Sequence, residues 1–148
     1  MRVTAHVEGL GDFNKAVAAM QRRIANAGRG IVSESLAVVE RAAKKNFEGS
    51  HPPGFPHVGG SKPNVVTGHL RRGIRTTPVR RIGVTEWEGD VGPTAIYGRR
   101  IELGYPGGGS GPGHQRTRPF PYLKPAADDS HARIRAVAVK HWTRAVLK

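Results

Sequence analysis

Apolar side chains recur at Leu10, Phe13, Val17, Met20 and Ile24. This spacing of three and four places them on one face of a helix. Gly11 or Asp12 is positioned to cap its start. Gly28-Arg29-Gly30 interrupts the pattern and predicts an end or a kink there. Val32, Leu36, Val39, Ala43 and Phe47 then resume the stripe, with Ser33-Glu34 near a second start, until Gly49 and Pro52-Pro53 stop it. The expectation is one long kinked helix or two helices in succession.

Residues 49–66 read as a loop by composition, long enough to suggest a functional or mobile segment. Thr67 is placed to cap a short helical turn through Leu70-Arg71-Arg72. From Ile74 to Gly92 the pattern turns strand-like: Ile74, Val79, Ile82 and Val84 mix with Arg and Thr, and Thr85–Val91 alternates β-formers with charge. A two- or three-stranded antiparallel meander is expected. Ala95–Leu103 reads as a short helix ended by Gly104, and 104–121 as a second open loop. Pro121 or Pro125 can open a last helix, which would turn Leu123, Ala127, Ile134, Val137, Ala138, Trp142 and Ala145 inward. The expected fold class is α+β, in one domain over residues 1–148, with no internal repeat.

Composition sharpens this picture in two ways. All 11 prolines lie at or after Pro52, and 16 of the 20 glycines lie between Gly49 and Gly113, so the irregular backbone is concentrated in the middle of the chain. The 24 Lys and Arg outnumber the 11 Asp and Glu, a net charge of +13 spread over every segment rather than gathered in a tail. Such a chain repels itself and suits a polyanion or an acidic partner. The absence of Cys excludes disulfides, thiolate metal sites and Cys nucleophiles. No stretch approaches the roughly 20 apolar residues of a membrane span, and Met1–His6 lacks a signal-type apolar run. The expectation is a protein that is soluble and not exported by the usual route.

Candidate chemistry is sparse. Gly107–Gly113 lacks the Gly-Lys-Ser/Thr ending of a phosphate loop and follows a helix, not a strand. His51 and His57 flank Pro-Pro-Gly-Phe-Pro without further ligands. Asp128-Asp129, beside His131, is the one adjacent acidic pair and the one place a metal-dependent nuclease would use; helical neighbours point about 100° apart, and at a helix start the pair simply complements the dipole. Gly109-Ser110-Gly111 is no nucleophile elbow. No cofactor, metal site or small-molecule substrate is indicated, and no enzyme. What remains is arginine: Arg71, Arg72, Arg75, Arg80 and Arg81 crowd one segment, followed by the pairs Arg99-Arg100 and Arg116/Arg118. Arg suits phosphate, while aromatics are not interleaved with these runs as base-stacking would need. Non-specific contact with duplex DNA fits better than base readout, and a free-standing basic nucleic-acid-binding module is one reading of the chain.

Three strings, taken in order after a long helix, carry a second reading: Val66-Thr67-Gly68-His69-Leu70-Arg71-Arg72-Gly73-Ile74, Tyr97-Gly98-Arg99-Arg100-Ile101-Glu102-Leu103-Gly104, and Thr117-Arg118-Pro119-Phe120-Pro121-Tyr122-Leu123-Lys124-Pro125-Ala126. Over about residues 8–148 the set resembles the tail-completion (head-to-tail connector, minor tail) family of long-tailed phages. Gly73 stands where that family usually has Ser, Leu103 where it has Phe, and Pro121-Tyr122 is inserted in the Pro-Phe-Leu run. The resemblance implies a non-enzymatic virion protein of the neck or upper tail, made in the bacterial cytoplasm. It would form a ring, commonly sixfold, between the head-side connector or stopper and the tail terminator or tail-tube protein, with DNA passing through the lumen. It further implies structural or interface roles for Thr67, Gly68, Leu70, Tyr97, Glu102, Gly104, Arg118, Pro119 and Phe120. Thr67-Gly68 would cap the short helix; Tyr97, Ile101 and Leu103 would pack on the sheet. Glu102 would form an ion pair, and Arg118-Pro119-Phe120 would lock the last helix. Arg71, Arg72, Arg75, Arg80 and Arg81 are the candidate lumen residues.

Overall fold

The apolar periodicity of the first segment builds a single α-helix, α1 (Leu10–Lys45), of 36 residues, about 54 Å at 1.5 Å per residue. A computed structural model describes residues 8–108 and 116–147 of the chain; Gly109–Gly113 of the glycine-rich segment lies outside them. α1 runs through Gly28-Arg29-Gly30 with no end and no second start, so of the two expected forms it is the single long helix that is present. The two glycines serve packing. A methyl group on Gly28 would sit 2.8 Å from Trp87 Cδ1, and one on Gly30 2.6 Å from His141 Cε1. Each glycine costs the helix about 1 kcal/mol against Ala; in exchange a ring from another element lies directly on the backbone. The Trp87 indole also donates to the Ala25 carbonyl at 2.8 Å. α1 closes at Lys45, where the Asn46 N–H bonds to the Ala43 carbonyl, so Phe47 has already left the helix.

Eight short elements follow: α2 (His69–Arg72), β1 (Ile74–Thr76), β2 (Arg80–Arg81), β3 (Trp87–Glu88), β4 (Val91–Pro93), α3 (Gly98–Leu103), α4 (Leu123–Asp128) and α5 (His131–Val146). The expected α+β class is present, but the strands do not form a meander. β1 pairs antiparallel with β4, Ile74 opposite Pro93 and Thr76 opposite Val91. β2 pairs antiparallel with β3, Arg80 opposite Glu88 and Arg81 opposite Trp87. The two ladders nest as one interrupted hairpin. Thr77 still holds Asp90 by two bonds, N–H to the Asp90 carbonyl and Oγ1 from the Asp90 N–H, both 2.8 Å. Pro78 then has no N–H to offer and the ladder breaks.

The single closing helix is also two. α4 ends at Asp128, and the carbonyl of Ser130 accepts the Ile134 N–H at 2.9 Å to start α5. The inward side chains here are Ala126, Ser130, Ile134, Val137, His141 and Ala145, which are buried or half-buried. Ala127 and Trp142, expected inward, are exposed. Each lies one position past the true stripe, two of whose members, Ser130 and His141, are polar.

The core sits under the second half of α1: Val39 and Ala43 pack with Leu70, Ile74, Ala95, Tyr122 and Ala126, and Phe47, Val91, Ile101, Leu123 and Ile134 close around them. α5 lies along α1 more extensively than any other element does. The first half of the apolar stripe finds no such cover among the described residues. Loop 49–66 is closed at its neck by Val65 N–H to Gly49 O and Glu48 N–H to Pro63 O, each 3.0 Å. The Asn64 amide ties its interior, bonding the carbonyls of Glu48 and Val58 and accepting the Val58 N–H. This makes it a compact Ω-type loop. The second loop is closed where Tyr105 and Thr117 exchange two backbone bonds of 2.7 and 2.8 Å.

Gly30→Ala is expected to destabilise the protein by about 1–3 kcal/mol, because overpacking against His141 outweighs the gain in helix propensity. Gly11→Ala, where a methyl group meets nothing within 4 Å, is expected to be neutral or to stabilise by up to about 1 kcal/mol. Urea denaturation of both variants checks this; equal effects at the two positions would contradict it.

Candidate functional site

The three ordered strings come together at one joint beside the core. In the first, Gly68 occupies the N-cap of α2 with φ 72°, in the left-handed region that favours glycine. Gly68 and not Thr67 is therefore the cap residue; the Thr67 hydroxyl accepts the His69 N–H at 3.3 Å. α2 turns Leu70 into the core and leaves Arg71 and Arg72 outside. In the second string, Gly104 ends α3 with φ 74°. A side chain there would sit 2.8 Å from the Pro119 nitrogen and 2.9 Å from the Thr117 carbonyl, so glycine lets the third string pass close by. Phe120 N–H then donates to Ile101 O at 2.8 Å.

Glu102 holds this joint. Its Oε2 accepts the N–H groups of Tyr122 (2.7 Å) and Leu123 (2.9 Å), and its Oε1 that of Lys124 (2.8 Å). These donors stand at the start of α4, where no carbonyl of the same helix can reach them. A carboxylate on them makes charge-assisted bonds and complements the helix dipole. Among the described residues Glu102 thus caps backbone N–H groups, and no cation of its own chain pairs with it. Tyr122 is fully buried, its hydroxyl donating to Gly98 O at 3.2 Å and its ring 5.3 Å from that of Phe47. Burial, and then the neighbouring Glu102 charge, push its phenol far above the ordinary range. Of the residues of the second string expected to pack inward, Ile101 does so, whereas Tyr97 and Leu103 are exposed.

A cleft of about 270 Å³ opens beside the joint, lined by Phe47, Val66, Leu70, Tyr97, Ile101 and Phe120 among others. His57 from the first loop stacks on Phe120 at 4.1 Å and bonds the Lys62 carbonyl through Nε2. The Arg118 guanidinium also lies 4.6 Å from the centre of the Phe120 ring and donates to Gly60 O at 2.9 Å. Arg118-Pro119-Phe120 thereby clips the first loop to the start of the closing helices, with Phe120 buried. Among the described residues no three His, Asp or Glu side chains converge as a metal site. Asp128 is bridged to Lys124 at 2.8 Å on the surface.

The arginine group divides. Arg71, Arg72 and Arg75 line a shallow groove with Lys44, Val65 and Gly68. Arg72 also donates to the Thr67 carbonyl at 3.1 Å. Arg80 and Arg81 belong to the hairpin instead. Arg80 pairs across it with Glu88 at 2.8 Å, which raises its pKa further; Arg81 donates to the carbonyls of Gly83 and Val84.

One polar cluster was not foreseen. Glu34 on α1 accepts from Lys140 Nζ at 2.9 Å and lies 2.8 Å from His141 Nε2, joining α1 to α5 over the Gly30 notch. The bond from Lys140, and then that from His141, hold the Glu34 carboxyl below its ordinary value. Partners so far apart in sequence leave no local pattern; the one available signal was a His on the inward stripe of α5.

Comparison of the chain with protein-family models, with curated proteins and with solved structures returned no match.

Glu102→Ala is expected to destabilise by about 2–3 kcal/mol, since it strands three N–H groups at a helix start; a lower urea midpoint with an unchanged slope is the readout. Glu34 gives a pH signature. A carboxyl whose folded pKa is lowered contributes stability above its unfolded value of about 4.5, and loses it as pH falls through the folded value. Glu34→Gln should therefore lower the Tm at pH 7, with wild type and variant converging as the solution is acidified below that range.

Proposed function

We propose that this protein is a structural subunit of the neck or upper tail of a long-tailed phage. Copies of it, commonly six, form a ring joining the head-side connector or stopper to the tail terminator or tail-tube protein. The genome passes through the lumen, and Arg71, Arg72, Arg75, Arg80 and Arg81 are its candidate contacts with duplex DNA. Those contacts are to phosphate and read no sequence. The assignment is to assembly and not to catalysis.

The observation that supports this reading most is the convergence of the three motif strings. Segments 66–74, 97–104 and 117–126 share one joint, whose motif glycines permit close passage and whose motif Glu caps a helix. A chain built this way devotes its distinctive residues to holding segments together. The basic groove of Lys44, Arg71, Arg72 and Arg75 favours a second reading, a free-standing nucleic-acid-binding module.

Electron microscopy of phage particles carrying the labelled chain separates the two. Label at the head–tail joint is the expected result; a chain absent from particles overturns the ring reading. Duplex DNA affinity should fall steeply with salt, and charge reversal of Arg80 and Arg81 together should weaken DNA retention in particles. Unchanged retention removes those two residues from the lumen.

A further inference from the structure

The leading turns of α1 present an apolar face that the described chain leaves open. Leu10 is 58 % exposed, Phe13 65 %, Val17 38 % and Met20 40 %. Side chains of this size gain free energy when buried, and a contiguous exposed set of them marks an interaction surface. The cleft lined by Phe47, Val66, Tyr97 and Phe120 lies past the opposite end of the same helix, about 50 Å from Phe13 at 1.5 Å per residue. The stripe therefore cannot fill the cleft of its own chain.

We propose that the Leu10–Met20 stripe of one subunit seats in the Phe47/Val66/Tyr97/Phe120 cleft of the next copy of this chain. The inference rests on the ring reading and specifies its joint. Charge carries the choice of partner. Glu8 and Asp12 accompany the start of the stripe. The cleft shares Val65, Gly68 and Arg71 with the groove that also holds Lys44, Arg72 and Arg75. An apolar stripe beside acids thus faces an apolar cleft beside bases. Asp12 is available for this, because its bridge to Lys15 joins two side chains more than 80 % exposed, where an ion pair contributes little. Val66 and Tyr97, both over 40 % exposed at the cleft, would be covered. Donor and acceptor are different patches at opposite ends of a rod, so each bound subunit still offers one of each. Such a heterologous contact propagates until it closes into a ring. Arg71 is then drawn to the joint between subunits and away from the lumen.

The chain has no Cys, so introduced thiols report cleanly. Phe13→Cys with Val66→Cys, treated with a short bismaleimide, should give a covalent ladder up to ring size, while neither single variant does. Asp12→Arg and Arg71→Glu should each weaken assembly at least tenfold, and the two together should restore it. Phe13→Cys linking to itself would overturn the proposal in favour of a two-fold contact. Rings seen by native mass spectrometry with no ladder and no charge-swap rescue would overturn this joint and leave the ring reading standing. Wild-type protein that remains monomeric at every concentration and is absent from particles would overturn both.

Discussion

The carboxylate of Glu102 carries an unusual share of this structure. A six-residue helix such as α4 has too few internal hydrogen bonds to be stable alone, and its leading N–H groups point at whatever lies before it. Glu102 supplies both the acceptors and the charge. It stands on α3, whose C-terminal glycine lets the chain at Pro119 pass within bonding distance of Ile101. Once Tyr122 is fixed by its own N–H, its ring fills the centre of the core between Phe47 and Gly98. Ala126 and Ala43 then meet, and α5 is aimed back along α1. The order of dependence runs from one acid to a buried aromatic to the pairing of the two longest helices.

Apolar material is limited for a chain of this length, and its placement reflects that. The core is concentrated at one end of α1, where α2, α3, α4 and the base of the hairpin meet. Towards the other end the helix has α5 and the Trp87 ring as company and then, among the described residues, continues without neighbours. The first loop is kept in place by polar means: the Asn64 amide inside, and Arg118 with His57 around Phe120 outside. Basic side chains surround this arrangement. Several are already engaged with carbonyls or carboxylates of the same chain, so the high net charge is only in part free charge.

The long first helix, the strand region, the short helix ended by Gly104 and the helical tail were legible because each depends on local periodicity or on a glycine stop. The failures have specific physical causes. Gly28 and Gly30 look like breakers locally, but their role is set by Trp87 and His141, which approach from far along the chain. His141 is a half-buried polar side chain, so an apolar search slips to Trp142 beside it, while Ala127 is simply the exposed neighbour of the buried Ala126. The hairpin differs from a meander by which strand pairs with which, and pairing has no signature in a region this rich in Arg and Thr. Glu102 stood out between Ile101 and Leu103, yet its partners are backbone N–H groups, and every residue but proline has one. The cleft and the open stripe were not legible at all, since both arise from what fails to cover them.

Gly28 and Gly30 lie about 200° apart around α1, one under the hairpin ring and one under the α5 ring. The helix is thus gripped from two sides within a single turn, like a shaft held between two jaws. Sliding by one residue would drive a side chain into Trp87 or His141, and rotation would do the same. Force applied to the projecting end of the rod is therefore delivered to the hairpin and to α5 as a unit, with no swivel between them to absorb it.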